Sequence, residues 1–506
     1  MNQNMEIRDG VLVRYRGMDK EIAIPDGVRE IGPAAFYHCT MLRKVTIPEG
    51  VTKICKQAFC SCTSLKDVNL PQSLLEIGLS AFIDCRSIET IEFHEGLVVI
   101  DNAAFKNCRS LRSVHVPHSL HVIGEYSFAS CTSLVQVDIP QELDEIGKHA
   151  FSGCTQLQKI NMPDNLREIG YGTFENCASL REIEIPLGIT DIDEEAFMGC
   201  LSLHSVYLPD GLERISRSAF KSCTSLTQVH MPEHLKTIHA NAFWGCRALS
   251  TVKLPEGLLS IGDSAFAACS SLREITFPDS LVEMKNGVLH DCVSLERVIL
   301  PSTMSELGAS VFSSCKKLVH ITLPPTVRKL GWKSFSDCVS LEDIVLPEGL
   351  CEIGTGAFTG CDSLKKVVFP QSLELIDTRA FYGCKALDNV VLPDHLKNIR
   401  EGAFVNCTGM KKIHLPAELE VIENDVFSGC GLESLDLPAK LKVIGENAFR
   451  DCFALKDVYN LTPEIECRTY AFRDSLFACD ACPNCGGELK GWLLKKCTVC
   501  GRLKDY

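Results

Sequence analysis

The sequence predicts an α/β solenoid, about nineteen coils of 23 residues stacked along a parallel sheet, followed by a small module of a different kind. Three observations carry this. Cysteines recur every 23 residues from Cys39 through Cys62, Cys85, Cys108 and Cys131 to Cys430, eighteen in one unbroken series, and Cys452 follows after 22. Around each recurs one pattern, LPxxLxxIgxxAFxxCxsLxxVx, clean in residues 254–276 as "LPEGLLSIGDSAFAACSSLREIT". The last stretch, "CPNCGGELKGWLLKKCTVCG", leaves the period and holds two CxxC pairs.

A fixed period of this length with recurring leucines means that each unit makes one coil and cannot bury its apolar side without neighbours. Within the coil, LxxVxL, as in Leu272, Ile275 and Phe277, reads as a strand whose fourth and sixth positions point inward and whose fifth faces out. Pro255 and its equivalents then end the strand, because proline lacks an amide hydrogen for the ladder and sets the backbone for a turn. LxxI is a second short extended piece. AFxxC is expected to be a helical turn with its Ala and Phe inside, so that Phe36, Phe59, Phe82, Phe105 and their successors align in an aromatic spine broken only at Leu289.

The repeated cysteines fit as small apolar residues with a weak S–H donor, buried where the coil re-enters the strand. Disulfides between coils are disfavoured, since strands lie about 4.8 Å apart and a good bridge needs Cβ atoms about 3.8 Å apart. A redox-sensing or metal-binding array would need buried thiols to ionise with no positive neighbour at a fixed repeat position. Both ends need atypical caps. Residues 1–23 supply a hairpin around Asp9-Gly10, residues 24–459 the solenoid, and residues 460–478 a decaying coil with Ser475 in the cysteine position.

The chain has 506 residues, 45% of them apolar and 23% charged, the composition of an ordered protein. A net charge of -14 makes nucleic acid an unfavourable main partner. The opening "MNQNMEIRDGVLVRYRG" lacks an apolar core of signal-peptide length, and no apolar run long enough to span a membrane follows. With 28 cysteines, this points to a reducing, cytoplasmic setting.

The repeat resembles the BspA-type leucine-rich repeats of bacteria, which carry the same LPxxLxxIxxxAFxxC core; the resemblance covers residues 24–459. It implies a right-handed leucine-rich repeat solenoid that binds other proteins or surfaces. Many members of that family are exported adhesins.

A sheet of nineteen strands would present a face on the order of 90 Å long, suited to a large partner. Its outward fifth strand position is polar through Thr46, Asn69, Glu92, His115, Asp138, Asn161, Glu184, Tyr207, His230 and Lys253. The row then turns apolar through Thr276, Ile299, Thr322, Val345, Val368, Val391 and His414. Ile299, Val345, Val368 and Val391 form a candidate partner site, with Arg297, His320, Asp343, Lys366 and Asn389 as its polar edge. The plainer reading is that β-branched residues sit on exposed strands because they fit a pleated surface.

In residues 479–506, Cys482, Cys485, Cys497 and Cys500 form two CxxC knuckles, each followed by glycine, and supply four sulfurs for a tetrahedral metal. The segment looks like a zinc ribbon with short strands in "ELKGWLLKK". Four thiolates close the site, so the zinc is expected to be structural and to supply the folding energy of a segment too short for a core. A rubredoxin-like iron site uses similar knuckles, and Cys479 is an alternative first ligand.

No catalytic constellation rises above the repeat: His230, His234 and His239 read as solvated, and the "CTSL" serines lack a glycine elbow. The expected function is a non-catalytic protein-interaction scaffold. The alternatives are an exported adhesin or antigen and, more weakly, a metal-dependent enzyme or nucleic-acid-binding protein acting through the ribbon.

Overall fold

The computed structural model describes residues 3–479 and, beyond them, the short strands Leu489–Lys490 and Lys496–Cys497. The chain forms two units, Met1–Leu258 and Leu259–Tyr506. Each is a parallel-sheet solenoid whose coil has three sides, and each side stacks into its own hydrogen-bonded row.

The first side is the LxxVxL strand, for example Lys44–Thr46 paired in register with Asp67–Asn69. Val45 is buried between exposed or half-buried neighbours, the alternation a one-sided strand requires. Proline then stops the ladder and turns the chain: the carbonyls of Pro71 and Pro117 accept the N–H groups of Leu74 and Leu120 at 3.2 and 3.1 Å. The second side is LxxI, and its row is the more continuous of the two strand rows. In the first unit it runs unbroken from Val11–Tyr15 through Glu30–Ile31 and Lys53–Ile54 to Glu145–Ile146.

The third side corrects an expectation. AFxxC is a chain of reverse turns, not a helical turn. Ala34 and His38 sit at φ of 54° and 60°, and the same two positions are left-handed in coil after coil. A left-handed residue at every fourth position flips alternate peptides. The N–H groups of Ala34, Phe36 and His38 therefore reach the carbonyls of Lys56, Ala58 and Cys60 in the next coil at 3.0, 2.7 and 2.9 Å. Those of Ala35, Tyr37 and Cys39 close turns within their own coil. A helical turn would use its N–H groups internally and leave successive coils unbonded. Among the described residues the only helix is Leu476–Cys479, so the α component expected of the repeats is absent from them.

The core lies between the three rows. The phenylalanines stack nearly parallel, with ring centroids 4.8 Å apart at Phe36–Phe59, widening to 5.9 Å at Phe151–Phe174. Each buried ring contributes roughly 1.5–3 kcal/mol. A tilted aromatic flanks the first phenylalanine of the first unit and the last of the second: Tyr15 lies 5.2 Å from Phe36, and Phe477 meets Phe472 edge-on at 5.3 Å. Tyr15 belongs to an N-terminal hairpin, Met5–Arg8 against Val11–Tyr15, whose turn places Asp9 and Gly10 at φ of 48° and 79°. Positive φ at both central residues is the geometry of a primed hairpin turn.

Beside the aromatic ladder runs the ladder of thiols. Along the ladder a cysteine donates its S–H to the carbonyl of the preceding coil's phenylalanine, as Cys62 to Phe36 at 3.1 Å and Cys338 to Phe312 at 3.1 Å, and Cys315 does so to Leu289, which stands in the phenylalanine position. Burial pushes the thiols up, those of Cys154 and Cys338 to about 12, so they stay neutral donors.

At three places two of the three rows part together. Between the coils of residues 140–162 and 163–185, neither Ile146 with Ile169 nor Ile160 with Ile183 pairs; the turn row continues, and the strand side keeps one long backbone bond at its start, from the Arg181 N–H to the Gln158 carbonyl at 3.4 Å. Between residues 278–300 and 301–323 both strand rows part and only turn-row backbone bonds cross, whereas between 393–415 and 416–437 the strand pairings part but the Glu433 N–H still reaches the Lys411 carbonyl at 3.1 Å. These seams divide the units into blocks of coils. No helix among the described residues is long and apolar enough to cross a membrane.

Candidate functional site

The outward strand row of the second unit carries the apolar stripe. Val345 and Val391 are each 65% exposed, Ile299 48% and Val368 43%. Exposure follows from the pleat, since the neighbouring Ile344 and Val390 turn inward and are buried. Val345 pairs in register with Val368, and Val391 with His414. A recess of about 280 Å³ opens between the Val368 and Val391 strands, lined by Val368, Phe369, Val391 and Leu392 among others. It gives the stripe a concave centre into which one apolar side chain could seat.

The structure brings together only part of the predicted set. Val345, Val368 and Val391 lie in one block of five coils, residues 301–415, with His320, Asp343, Lys366 and Asn389 exposed along the edge. Ile299 and Arg297 lie across a seam, on a strand paired with Glu274–Thr276. They are exposed but not hydrogen-bonded to the next coil's strand. The edge is internally paired where it is charged: His320 Nδ1 lies 3.1 Å from Asp343 Oδ1, and Asp343 sits in register with Lys366. Outside it, Lys365 and Glu342 pair at 3.1 Å and Lys385 and Asp362 at 3.0 Å. Exposed pairs of this kind contribute little stability and leave the apolar centre as the distinctive feature.

Sequence reasoning missed the recess, which arises from spacing between coils and has no residue signature. It also missed a larger cleft of about 660 Å³ in the first unit, where Ile160, Asn161 and Met162 face Ile183, Glu184 and Ile185 across the first seam. There Asn161 turns its side chain back: its Oδ1 accepts the Ile139 N–H at 3.1 Å, replacing a ladder bond. His230 is exposed and stacks on Tyr207 at 4.0 Å, while His234 and His239 are exposed at other points of their coil.

Of the predicted metal ligands, Cys482, Cys485 and Cys500 lie outside the described residues. Cys497 closes the strand Lys496–Cys497, which pairs antiparallel with Leu489–Lys490.

A family model described as "BspA type Leucine rich repeat region (6 copies)" matches residues 17–135, 121–250, 236–352 and 329–456. The chain belongs to the BspA-type leucine-rich repeat family. Among solved structures, this BspA-type chain is similar to a leucine-rich repeat protein from Bacteroides ovatus, with 30% identity, a TM-score of 0.57, and coverage of 69% of this chain and 86% of that one. It also matches a leucine-rich cell surface protein from Faecalibacterium prausnitzii, at 24% identity and a TM-score of 0.38, covering 73% of this chain and 86% of that one. A leucine-rich repeat protein of T. pallidum shares 32% identity over 38% of this chain and 82% of that one, with a TM-score of 0.30. No relative was found among curated proteins.

Proposed function

We propose that this BspA-type protein is a non-catalytic scaffold that docks a protein partner on the strand face of residues 301–415. One observation carries the reading: three valines on the strand face, Val345, Val368 and Val391, stay 43–65% exposed, and two of them, Val368 and Val391, line a recess. Contiguous exposed apolar surface rimmed by polar groups is the composition of an interface centre. Ile299 and Arg297 extend the face on the far side of the seam.

In this reading the tail is a structural zinc ribbon and a second contact point, its four thiolates from Cys482, Cys485, Cys497 and Cys500 leaving no open position for catalysis. The scaffold works in the cytoplasm, supported by a ladder whose bonds to phenylalanine carbonyls need each sulfur to keep its hydrogen.

Affinity capture from the native cell tests the docking face. A partner retained by the unaltered chain and by Thr46→Asp, a change on the polar part of the row, should be lost with Val368→Asp while the circular dichroism spectrum is unchanged. Equal retention by Val368→Asp retires the face. Elemental analysis of the purified full chain tests the tail: about one zinc per chain is expected, lost in Cys482→Ser/Cys485→Ser. Iron, or metal unaffected by that double change, overturns the zinc assignment.

A further inference from the structure

Two of the seams bound the block that carries the stripe, and the geometry of the one before it is that of a hinge. At the next junction the LxxI row holds and the strand side keeps a backbone bond: the Gly331 N–H reaches the Leu307 carbonyl at 2.8 Å, Lys329–Leu330 pairs with Glu306–Leu307, and the Glu342 N–H reaches the Val319 carbonyl at 3.1 Å. At the junction just before it, the equivalent N–H of Gly308 makes no bond to Met284, and Arg297–Ile299 pairs with nothing in the next coil. The turn row there is complete: Gly287, Leu289 and Asp291 donate to Ala309, Val311 and Ser313 at 2.8, 3.1 and 2.9 Å. At the junction of residues 393–415 with 416–437, Gly402, Phe404 and Asn406 likewise donate across at 3.0, 2.9 and 2.8 Å, while Ile399 and Ile422 do not pair.

Independent features agree that the coils part at these seams. A cleft of about 890 Å³ opens at the last one, with Glu374, Asn398 and Ile399 on one wall and Glu420, Val421 and Glu423 on the other. In the first unit a Cβ added at Gly170, beside the parted rows, would meet nothing closer than 3.6 Å, whereas at Gly124 and Gly147, in closed junctions, it would meet backbone at 2.6 and 2.5 Å. A phenylalanine spacing of 5.9 Å, against 4.8 Å at Phe36–Phe59, falls at that same seam. At the middle seam the aromatic ladder is interrupted by Leu289. Side-chain straps do cross. Ala309 N–H reaches Asn286 Oδ1 at 2.9 Å and Arg400 reaches Glu423 at 2.8 Å, both beside the turn row; at the exposed proline corner of the middle seam the Ser302 N–H reaches Asp279 Oδ1 at 2.7 Å, and on the strand side Lys317 and Glu296 stand 4.0 Å apart and exposed. An exposed pair at that distance is readily screened by salt.

One continuous line of backbone bonds, flanked by two released rows, permits rotation about that line and little else. We propose that the seam between residues 278–300 and 301–323 is a hinge on the turn row, and that its closure joins Ile299 to the Val345, Val368 and Val391 stripe. The docking face is then a preformed plate of five coils with one contact recruited by bending. The recruitment rests on the docking reading above, but the hinge itself does not.

Distance measurement between spin labels, carried on noncanonical amino acids in the full chain, tests the hinge without any partner. One pair replaces Glu274 and Lys366, which straddle the seam; the other replaces His320 and Lys412, inside the block. All four positions are exposed on the strand row, and each pair is separated by four repeat periods. The expected result is a distance distribution at least twofold broader, or two-peaked, for the straddling pair. Equal widths overturn the hinge, whatever becomes of the docking face. Hydrogen exchange gives a second readout: the Gly308 amide should exchange on the order of 100-fold faster than that of Gly331, with Leu289 and Asp291 still protected. Loss of protection at Leu289 and Asp291 would mean the coils separate outright, and would overturn the hinge as well.

Discussion

At the scale of single residues, the interior position before each phenylalanine is occupied by alanine in most coils but by Ser127 and Ser334 in two. Both serines are fully buried, and neither hydroxyl has a hydrogen-bond partner among the described residues. Thr173 occupies the same position and differs, since its hydroxyl donates to the Gly170 carbonyl at 2.9 Å. A buried unsatisfied hydroxyl costs about 1–3 kcal/mol, while alanine fits the site in neighbouring coils without cost. Ser127→Ala and Ser334→Ala should therefore each stabilise the fold by about 1 kcal/mol, read as a higher urea midpoint at unchanged slope. Thr173→Ala, which removes a made bond, should not. A lower midpoint for Ser127→Ala would show that its hydroxyl has a partner in solution.

At the scale of elements, what could be read from the chain was whatever repeats with the period. The strands, the proline turns, the phenylalanine spine and the Asp9-Gly10 hairpin all follow from the spacing of apolar and turn residues, and the structure has them. The turn row was misread because Ala and Phe side by side fit a helical turn equally well. The deciding signal lay beside many of the ladder cysteines, where Asn107, Gly153, Asn176, Gly199, Asp337 and Gly360 are residue types that tolerate the left-handed region, and all adopt it. The seams were not read. The first fits the repeat pattern throughout, and although Leu289 beside the middle one and the 22-residue coil 416–437 after the last depart from it, neither departure by itself says that strand rows part, which depends on the spacing of whole coils. For the same reason the stripe was legible as exposed residues by strand alternation, but the separation of Ile299 from Val345 was not. The tail's chemistry was legible from its CxxC spacing, and its ligand set stays a proposal.

At the scale of the whole molecule, stacking makes the thiols a collective titration. In the unfolded chain each cysteine ionises near 9, while burial holds the folded thiols higher, Cys154, Cys338 and Cys452 at about 12 and many others well above their ordinary value. Desolvation is the leading cause throughout, so the folded state favours the protonated form. Folded thiols thus bind protons that unfolded ones release. The stability this contributes is complete below about pH 9 and is lost as the pH rises from 9 toward 12. Each thiol adds about 1.4 kcal/mol per pH unit to the slope across that window, and the slopes of many thiols add. Tyr15 works in the same direction, its hydroxyl pushed to about 12 by burial and by its bond to Asp19. Thermal melts of the full chain under reducing conditions should therefore show a nearly constant Tm up to about pH 8.5 and a steep fall above pH 9, far steeper than a few surface lysines would give. Removing thiols should flatten that fall. Cys200→Ala/Cys223→Ala loses two of the contributing protons, and its Tm should change less between pH 8.5 and 10 than that of the parent chain, even if its Tm at pH 7.5 is lower. A Tm that stays level to pH 10.5, or a double variant with an unchanged slope, would show that the ladder is open to solvent and that the coils do not seal one another's interiors.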